Sequence, residues 1–565
     1  MGHYKPNLRD IEFNLFEFNR IQDYADGRWA DLDRDTMSDI LVEIARLASE
    51  DYSASYEDQD RIPLQLVDGE VAIPESVRSS VAAFKGGGWD RMGLPEEMGG
   101  MALPPSLIWA MSEMLLAANT TVQFYAGGAL FARVLFEEGT EEQKTFAKTW
   151  VDRGWAGTMV LTEPDAGSDV GAATTRAVDQ GDGTWHIEGV KRFITGGEHD
   201  LTENIVHLVL ARPVGAGPGT KGLSLFVVPK FLVSEDGSLG SRNGVYATNI
   251  EKKMGLKGST TCELTFGTDE PAVGYLVGER HDGIRQMFRV IEYARMMIGT
   301  KAMGTLSTGY LHALGYAKER RQGSDLTRAT DKAAPRVPII DHPDVRRMLM
   351  TQKAHAEGMR ALVLYTAWVQ DQAILHPDDD SWERRNDLLL PLVKGYSSEK
   401  AYDLLSMSLQ VLGGSGYTQD YPLEQYIRDA RIDSIYEGTT AIQALDLFFR
   451  KIARDQGQTL AALAAEILEF VKGGVDADPL AEERQLLAEM LDNTQAQLGA
   501  MVEYLMASLG GRDEEIYKVG LHTNELLESM AETVIAWLML RHAEAAIGMI
   551  DDDPFYRGKV ESARW

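Results

Sequence analysis

One block of β-patterned sequence, from Thr158 to about Val277, sits inside a chain that otherwise reads as helix. Within it, residues 174–178 and 184–194 flank Gly181-Asp-Gly183, a hairpin signal. Residues 205–210 and 223–228 are further strands, separated by a Gly/Pro-rich loop. Residues 1 to about 153 carry helical spacing instead, as over 37–47 and 107–116, punctuated by Gly86-Gly-Gly88 and Gly99-Gly100. Helical periodicity returns from about Gly283 to Ala453, with long segments at 287–320, 342–375 and 388–412 and a polar loop containing Pro335 and Pro338 after the first. Beyond Gln456 a last helical stretch is interrupted at Gly473-Gly474 and Gly510-Gly511. Helices segregated from a compact run of strands predict an α+β protein, not alternating βαβ units. The expected order is an N-terminal extension (1–36), an N-terminal helical domain (37–153), a central antiparallel β domain (154–281), a C-terminal helical bundle (282–455) and an additional helical unit (456–565).

Charge narrows the partners. With 56 Lys and Arg against 86 Asp and Glu, the formal charge is −30, which argues against nucleic acid and anionic membranes. An anionic ligand would need a local cationic or helix-terminal site. The single Cys262 excludes an intramolecular disulfide and any cysteine-cluster metal site, and it suggests a reducing compartment. No metal-ligand spacing occurs among the eleven His. The N-terminal residues lack the apolar core of a signal peptide, and the apolar run 534–540 is too short to span a bilayer. A cytoplasmic location is expected, without membrane contact.

Five segments could carry chemistry. Asp433-Ser-Ile-Tyr-Glu-Gly-Thr-Thr-Ala-Ile442 puts a carboxylate, Glu437, just before an amphipathic helix that Thr439 or Thr440 can cap. Ile442, Leu445, Phe449 and Ile452 form the expected buried stripe of that helix. In Met159-Val-Leu-Thr-Glu-Pro-Asp-Ala-Gly-Ser-Asp169 a strand ends at Thr162 and turns at Gly167-Ser168, exposing N–H groups to a ring edge or a phosphate. The plain alternative is a strand exit whose Asp165 and Ser168 satisfy their own backbone. In Gly189-Val-Lys-Arg-Phe-Ile-Thr-Gly-Gly197, strand alternation sends Phe193 and Thr195 to one face, where they could cover a planar cofactor or simply pack the sheet. Gln410-Val-Leu-Gly-Gly-Ser-Gly-Tyr417 follows a helix, not a strand, so a dinucleotide fingerprint fails its context. Helix termination at Gly413-Gly414 and close approach to a ligand both remain open. Arg295 and Arg320, on or ending long helices, are candidates for the local positive charge a phosphate-bearing ligand needs, or solvated surface arginines.

Taken together and in this order, the segments resemble the acyl-CoA dehydrogenase family over roughly residues 79–453. Gly93-Leu-Pro with Gly99-Gly100, Lys253-Met-Gly-Leu-Lys-Gly-Ser259, and Arg428-Asp-Ala-Arg431 leading into Tyr436-Glu-Gly-Thr439 add to the match. The resemblance implies FAD held between the β domain and the C-terminal helices, across a homodimer interface. Leu161 and Thr162 would meet the pyrimidine edge of the flavin, with Met159 and Ile194 beside them, while Phe193 stacks on the rings and Thr195 bonds near N5. Arg320, Gln322, Gln410, Gly413, Gly414 and Thr439 complete the implied cofactor contacts, several of them to a neighbouring subunit's FAD. Ser168, Glu292, Arg295, Tyr436 and Gly438 fall at the acyl-CoA site, and Glu437 at the catalytic base.

The implied reaction is α,β-dehydrogenation to a trans-2-enoyl-CoA within fatty-acid oxidation, with electrons passing to an electron-transfer flavoprotein. The implied donors to the thioester carbonyl are the Glu437 N–H and a ribityl hydroxyl. Two departures stand out: Phe193 replaces the family's usual Trp, and Gly323-Ser324 replaces its aromatic-Gly. Some members carry the base at the position of Ala294; Glu292 lies about 200° around a helix from it and points elsewhere. The long N-terminal extension and the stretch after Gln456 resemble the bacterial branch of 3-methylmercaptopropionyl-CoA and broad-range fatty acyl-CoA dehydrogenases. An acyl-CoA oxidase using O₂, or a non-catalytic CoA-binding protein, are the alternatives on the same fold.

Overall fold

The computed structural model describes residues 2–24, 28–234, 236–474 and 478–565. Positions 1, 25–27 and 475–477, inside stretches read as helical, lie outside the described residues, as does residue 235 in the β block. The chain divides into two compact units. One holds the residues up to His3, Arg46–Leu103 and Ala118–Ala294; the other holds Tyr4–Ala45, Pro104–Ala117 and Arg295–Trp565.

The first unit is built on a sheet. A short hairpin, β1 (Leu66–Val67) with β2 (Glu70–Val71), precedes it. This corrects the wholly helical reading of the N-terminal region. Asp68-Gly69 is the two-residue hairpin signal, and both residues take positive φ, +53° and +83°. The strands that follow are β3 (Ala156–Val160), β4 (Arg176–Asp179), β5 (Trp185–Thr195), β6 (Ile205–Pro213) and β7 (Ser224–Pro229). They continue with β8 (Phe231–Val233), β9 (Leu239–Arg242), β10 (Val245–Ile250), β11 (Thr261–Phe266) and β12 (Ala272–Leu276). The main sheet runs β10-β11-β5-β12-β7-β6-β3, with β4 pairing both β5 and β6. It is antiparallel except where β3 and β4 each run parallel to β6. The β4–β5 hairpin lies between β3 and β6 in sequence and supplies the long connection that parallel neighbours need.

Apolar side chains cover both faces of this sheet. Leu208, Leu210, Leu225 and Val227 pack with Trp150, Trp155 and Leu135 of the flanking helices. On the other face Ile187, Ile194, Val209, Phe226, Cys262 and Phe266 form a second cluster. A buried ion pair lies beside these hydrophobes. The Lys191 ammonium lies 2.9 Å from the Glu163 carboxylate, with 0% and 4% of their side chains exposed. Glu163 also accepts from the Thr174 N–H at 2.7 Å, the Thr174 hydroxyl at 2.9 Å and the Thr175 N–H at 3.0 Å. Burial raises this carboxyl, but Lys191 and the threonine donors outweigh it and hold the group down to about 2.

The second unit is helical. Helices Pro343–Leu375 and Ser381–Leu412 are joined by a short loop, and Leu423–Ala430 and Thr440–Leu445 follow. Gln458–Lys472, Ala481–Leu509, Glu515–Ala546 and Pro554–Arg564 complete it, with the predicted glycine breaks falling between helices. Helix Gly283–Glu319 carries its first turns in the first unit and the rest in the second. The segment read as a polar loop instead forms a hairpin, β13 (Arg321–Ser324) with β14 (Arg336–Pro338), in which Gly323 at φ +73° accommodates the register shift.

The expected stripe after Glu437 is also displaced. Ile442, Leu445 and Phe449 are only half-buried, while Gln443, Ala444, Leu447, Phe448 and Ile452 face inward. The chain adopts π-helical pairing from Asp446 to Ala453, which rotates the side chains away from the 3.6-residue register. Among the described residues no helix is long and apolar enough to cross a membrane.

Buried charge ties the chain's ends into this unit. Arg360 donates to Asp10 at 2.6 Å, to Glu113 at 2.9 Å and to the Ser307 hydroxyl at 2.8 Å. Lys559, on the last helix, donates to Asp10 at 2.8 Å and lies 3.3 Å from Glu357. Replacing Arg360 with Met is expected to strand Glu113, leave Asp10 with Lys559 alone, and cost about 3–5 kcal/mol, read as a lowered urea midpoint. In the first unit, the Glu163 carboxyl is lower in the fold than in the unfolded chain. Its contribution is therefore complete above pH 4.5 and lost as pH falls toward 2. Glu163→Gln should lower the urea midpoint at neutral pH and flatten its fall across that acid window.

Candidate active site

The chain leaves helix Leu423–Ala430 through a 3₁₀ turn, Arg431–Ser434, and reverses before helix Thr440–Leu445. At the reversal Glu437 and Gly438 are both left-handed, with φ of +54° and +85°. For a non-glycine residue this costs about 1–3 kcal/mol and persists only where the surroundings impose it. Here they do. The Gln443 amide donates to the Glu437 and Gly438 carbonyls at 3.1 and 3.2 Å. The Lys394 ammonium donates to the Gly438 carbonyl at 2.6 Å, and the Thr439 hydroxyl caps the next helix by accepting from the Ile442 N–H. A Cβ on residue 438 would stand 2.7 Å from the Gln443 amide nitrogen and push that amide off the carbonyls it holds, so glycine suits the position for more than its φ.

Beneath the turn, Asp433 accepts from Lys301 at 2.6 Å and from the Tyr436 hydroxyl at 3.1 Å. The Tyr436 hydroxyl is thus committed to holding the turn. Thr440 donates to Glu399 at 2.6 Å. Glu437 is half-buried, and its carboxyl sits among many packed neighbours. Burial pushes that carboxyl up to about 7, against the opposing pull of Lys394 and Arg295. Arg295 needs correction as a candidate phosphate ligand. Its guanidinium is buried against Asp446 at 2.6 Å, so it acts on Glu437 as a fixed charge and not as an open cation. Ala294, at the alternative base position, is buried, and Glu292 is half-buried on the same helix.

In the β unit the second left-handed non-glycine residue of interest is Phe193, at φ +61°. It lies where the register of β11 against β5 slips between Cys262 and Leu264. The residue is 55% exposed, a large apolar side chain left open on a strand. Arg192 pairs with Glu251 at 2.8 Å and lies 4.8 Å from that ring. Ile194 is buried in the sheet core, and Thr195 is half-buried.

The Leu161 carbonyl accepts from Lys191 at 2.8 Å and the Thr162 carbonyl from the Arg192 N–H at 2.8 Å. Because a trans peptide sets its N–H opposite its C=O, the first of these bonds aims the Thr162 N–H away from Lys191. Met159 packs partly buried against the core, and Ser168 is exposed in the following turn. Glu163 and Lys191, which order both segments, went unassigned in the sequence. A lysine in a run of strand residues was the available signal for one, and the lysine ending the apolar run 388–393 was the signal for Lys394.

A third group is exposed on the helical unit. Arg320, Gln322, Gln410, Gly413 and Gly414 all face solvent, and Tyr417 beside them is 83% exposed. The Tyr316 hydroxyl, 3.3 Å from that of Ser415, draws the end of helix Gly283–Glu319 to the 413–417 turn. The Gln322 carbonyl is bonded to His342 at 2.7 Å.

Comparison with known proteins agrees along the chain. Family models of the acyl-CoA dehydrogenase middle domain and C-terminal domain match residues 158–268 and 281–450. An acetyl-CoA dehydrogenase C-terminal-like model matches 463–565. The chain is 55% identical over 579 aligned residues to the broad-specificity linear acyl-CoA dehydrogenase FadE5 of Mycobacterium tuberculosis, covering 100% of this chain and 95% of that one. It is 36% identical to the 3-methylmercaptopropionyl-CoA dehydrogenase of Ruegeria pomeroyi, covering 99% and 95%. Its fold matches the FAD-complexed acyl-CoA dehydrogenase of Bacillus anthracis with a TM-score of 0.73 at 20% identity, over 94% of this chain and 85% of that one. The strained carboxylate turn, the bulged aromatic strand and these matches lead to one conclusion: the chain belongs to the acyl-CoA dehydrogenase family.

Proposed function

We propose that the protein converts an acyl-CoA thioester to the trans-2-enoyl-CoA, with Glu437 as the base that removes the α-proton. The observation that carries this reading is the Glu437 carboxyl itself, raised by burial to about 7 on a clamped left-handed turn. A base is most effective when its pKa lies near the working pH. A carboxyl free of hydrogen-bond partners among the described residues can accept a proton from carbon. The Glu437 N–H is the chain's own donor to the thioester carbonyl, and such a donor is worth about 3 kcal/mol to a transition state that gathers charge on oxygen.

FAD fits the remaining groups. The open face of Phe193 suits a planar ring system, and Thr195 and the Thr162 N–H supply polar contacts for its edge. When bound, FAD supplies the hydride acceptor for the β-hydrogen. Arg320, Gln322 and the Gln410–Gly414 turn, all exposed, are assigned to the cofactor of a second copy in a homodimer. Ser168, Glu292, Tyr436 and Gly438 are assigned to the substrate side, and Arg295 to its electrostatics. The names of the two relatives point to linear acyl chains or a thioether chain as substrate. We take the acceptor to be an electron-transfer flavoprotein and not O₂, and the enzyme to be cytoplasmic.

Glu437→Gln is expected to keep the yellow cofactor and to bind acyl-CoA while slowing flavin reduction by about 10²- to 10⁴-fold in stopped-flow absorbance. Near-normal reduction would reject the assignment. Comparison of kcat/KM across a chain-length series and methylmercaptopropionyl-CoA should show a broad optimum on linear chains. After anaerobic reduction by substrate, reoxidation in air should be slow; fast reoxidation would favour an oxidase.

A further inference from the structure

Buried charges of alternating sign surround the Glu437 turn. Helix Gly283–Glu319 contributes Arg295 and Lys301, helix Ser381–Leu412 contributes Lys394, the turn contributes Asp433 and Glu437, and the following helix contributes Asp446. Two of the cations are matched: Lys301 with Asp433 at 2.6 Å, and Arg295 with Asp446 at 2.6 Å. Lys394 is different. Its side chain is buried, its one bond is to the Gly438 carbonyl, and among the described residues no carboxylate lies within ion-pair distance of it. Glu437 is the carboxyl left without an ion-pair partner in this set, as Lys394 is the cation, and the two act on each other electrostatically. The other titratable groups facing the turn are Glu399, bonded to Thr440, and the Tyr436 hydroxyl, bonded to Asp433. Glu399 also acts on Lys394, Asp429 acts on Tyr436, and Arg450 lies 3.2 Å from Asp446, but none of these is bonded to Lys394.

We propose that Lys394 is the positioning residue of the base: its ammonium clamps the Gly438 carbonyl to hold the left-handed turn, and its unmatched charge keeps Glu437 ionised at working pH. Burial lowers Lys394 itself to about 8, so the charge is present at neutral pH and fades as pH rises through that value. The idea rests on Glu437 being the base, which Glu437→Gln tests separately.

The measurement is the pH dependence of kcat/KM for the flavin-loaded enzyme with an acyl-CoA substrate, in Lys394→Gln and Lys394→Arg. The acid limb reports the free enzyme's base. In Lys394→Gln it should move to higher pH by about one unit, a roughly tenfold loss below the limb that recovers at alkaline pH. Lys394→Arg, which keeps the charge, should return the limb toward its original position. A uniform loss at every pH with an unmoved limb would overturn the proposal and leave Lys394 a purely structural residue. Asp433→Asn provides a second reading should Lys394→Gln not fold. It removes a buried negative charge and should move the limb to lower pH, and an unmoved or opposite shift overturns the charge assignment. Loss of activity in Glu437→Gln with an unmoved limb in Lys394→Gln would sink this inference alone, whereas an active Glu437→Gln would sink the base assignment itself.

Discussion

A carboxylate held on a left-handed backbone needs donors for the carbonyls that such a turn directs inward. At Glu437 and Gly438 those donors are the Gln443 amide and the Lys394 ammonium. Much of the local structure follows from that need. The buried lysine comes from the core face of helix Ser381–Leu412, and its charge has to be offset nearby. The Lys301–Asp433 and Arg295–Asp446 pairs flank it, and burial in the same place raises the Glu437 carboxyl. Strain, clamp and proton affinity at this turn are thus consequences of one arrangement.

The β unit repeats the device with different parts. Phe193 is again a non-glycine residue at positive φ, and again a buried lysine nearby, Lys191, donates to a backbone carbonyl, that of Leu161. Here the charge is met directly by Glu163, which also gathers the N–H groups of Thr174 and Thr175. The bulge turns an aromatic ring outward that regular alternation would have placed differently, and the ion pair fixes the neighbouring strand exit. In each unit a buried ammonium on a carbonyl fixes a segment at or beside a strained residue that bears a proposed functional side chain.

The chain's two ends are structural parts of the helical unit and not appendages. Asp10 near the start and Lys559 near the finish meet at 2.8 Å, with Arg360 joining them to Glu113. Phe13 and Phe18 pack edge-on against His542, whose ring is wholly buried and held neutral by desolvation. The stretch after Gln456 therefore shares a core with the first helices of the same unit, which explains why the N-terminal extension and the C-terminal helices occur together in this chain.

The α–β–α order, the long helices and the motif around Glu437 were legible in the sequence because periodicity and turn chemistry are local. Asp68-Gly69 was equally legible as a hairpin and was hidden only by the helical spacing around it. The π-turn after Leu445 was not, since nothing in its composition distinguishes it from an α-helix until packing selects the register. Arg295 looked like an open cation until Asp446, 151 residues later, closed on it. By itself the sequence determined which carboxylate stands before a helix and which aromatic stands on a strand. Tertiary structure alone decided how deeply the carboxylate is set, which charges surround it and which lysine is left unmatched, because desolvation and Coulomb energy depend on neighbours far along the chain.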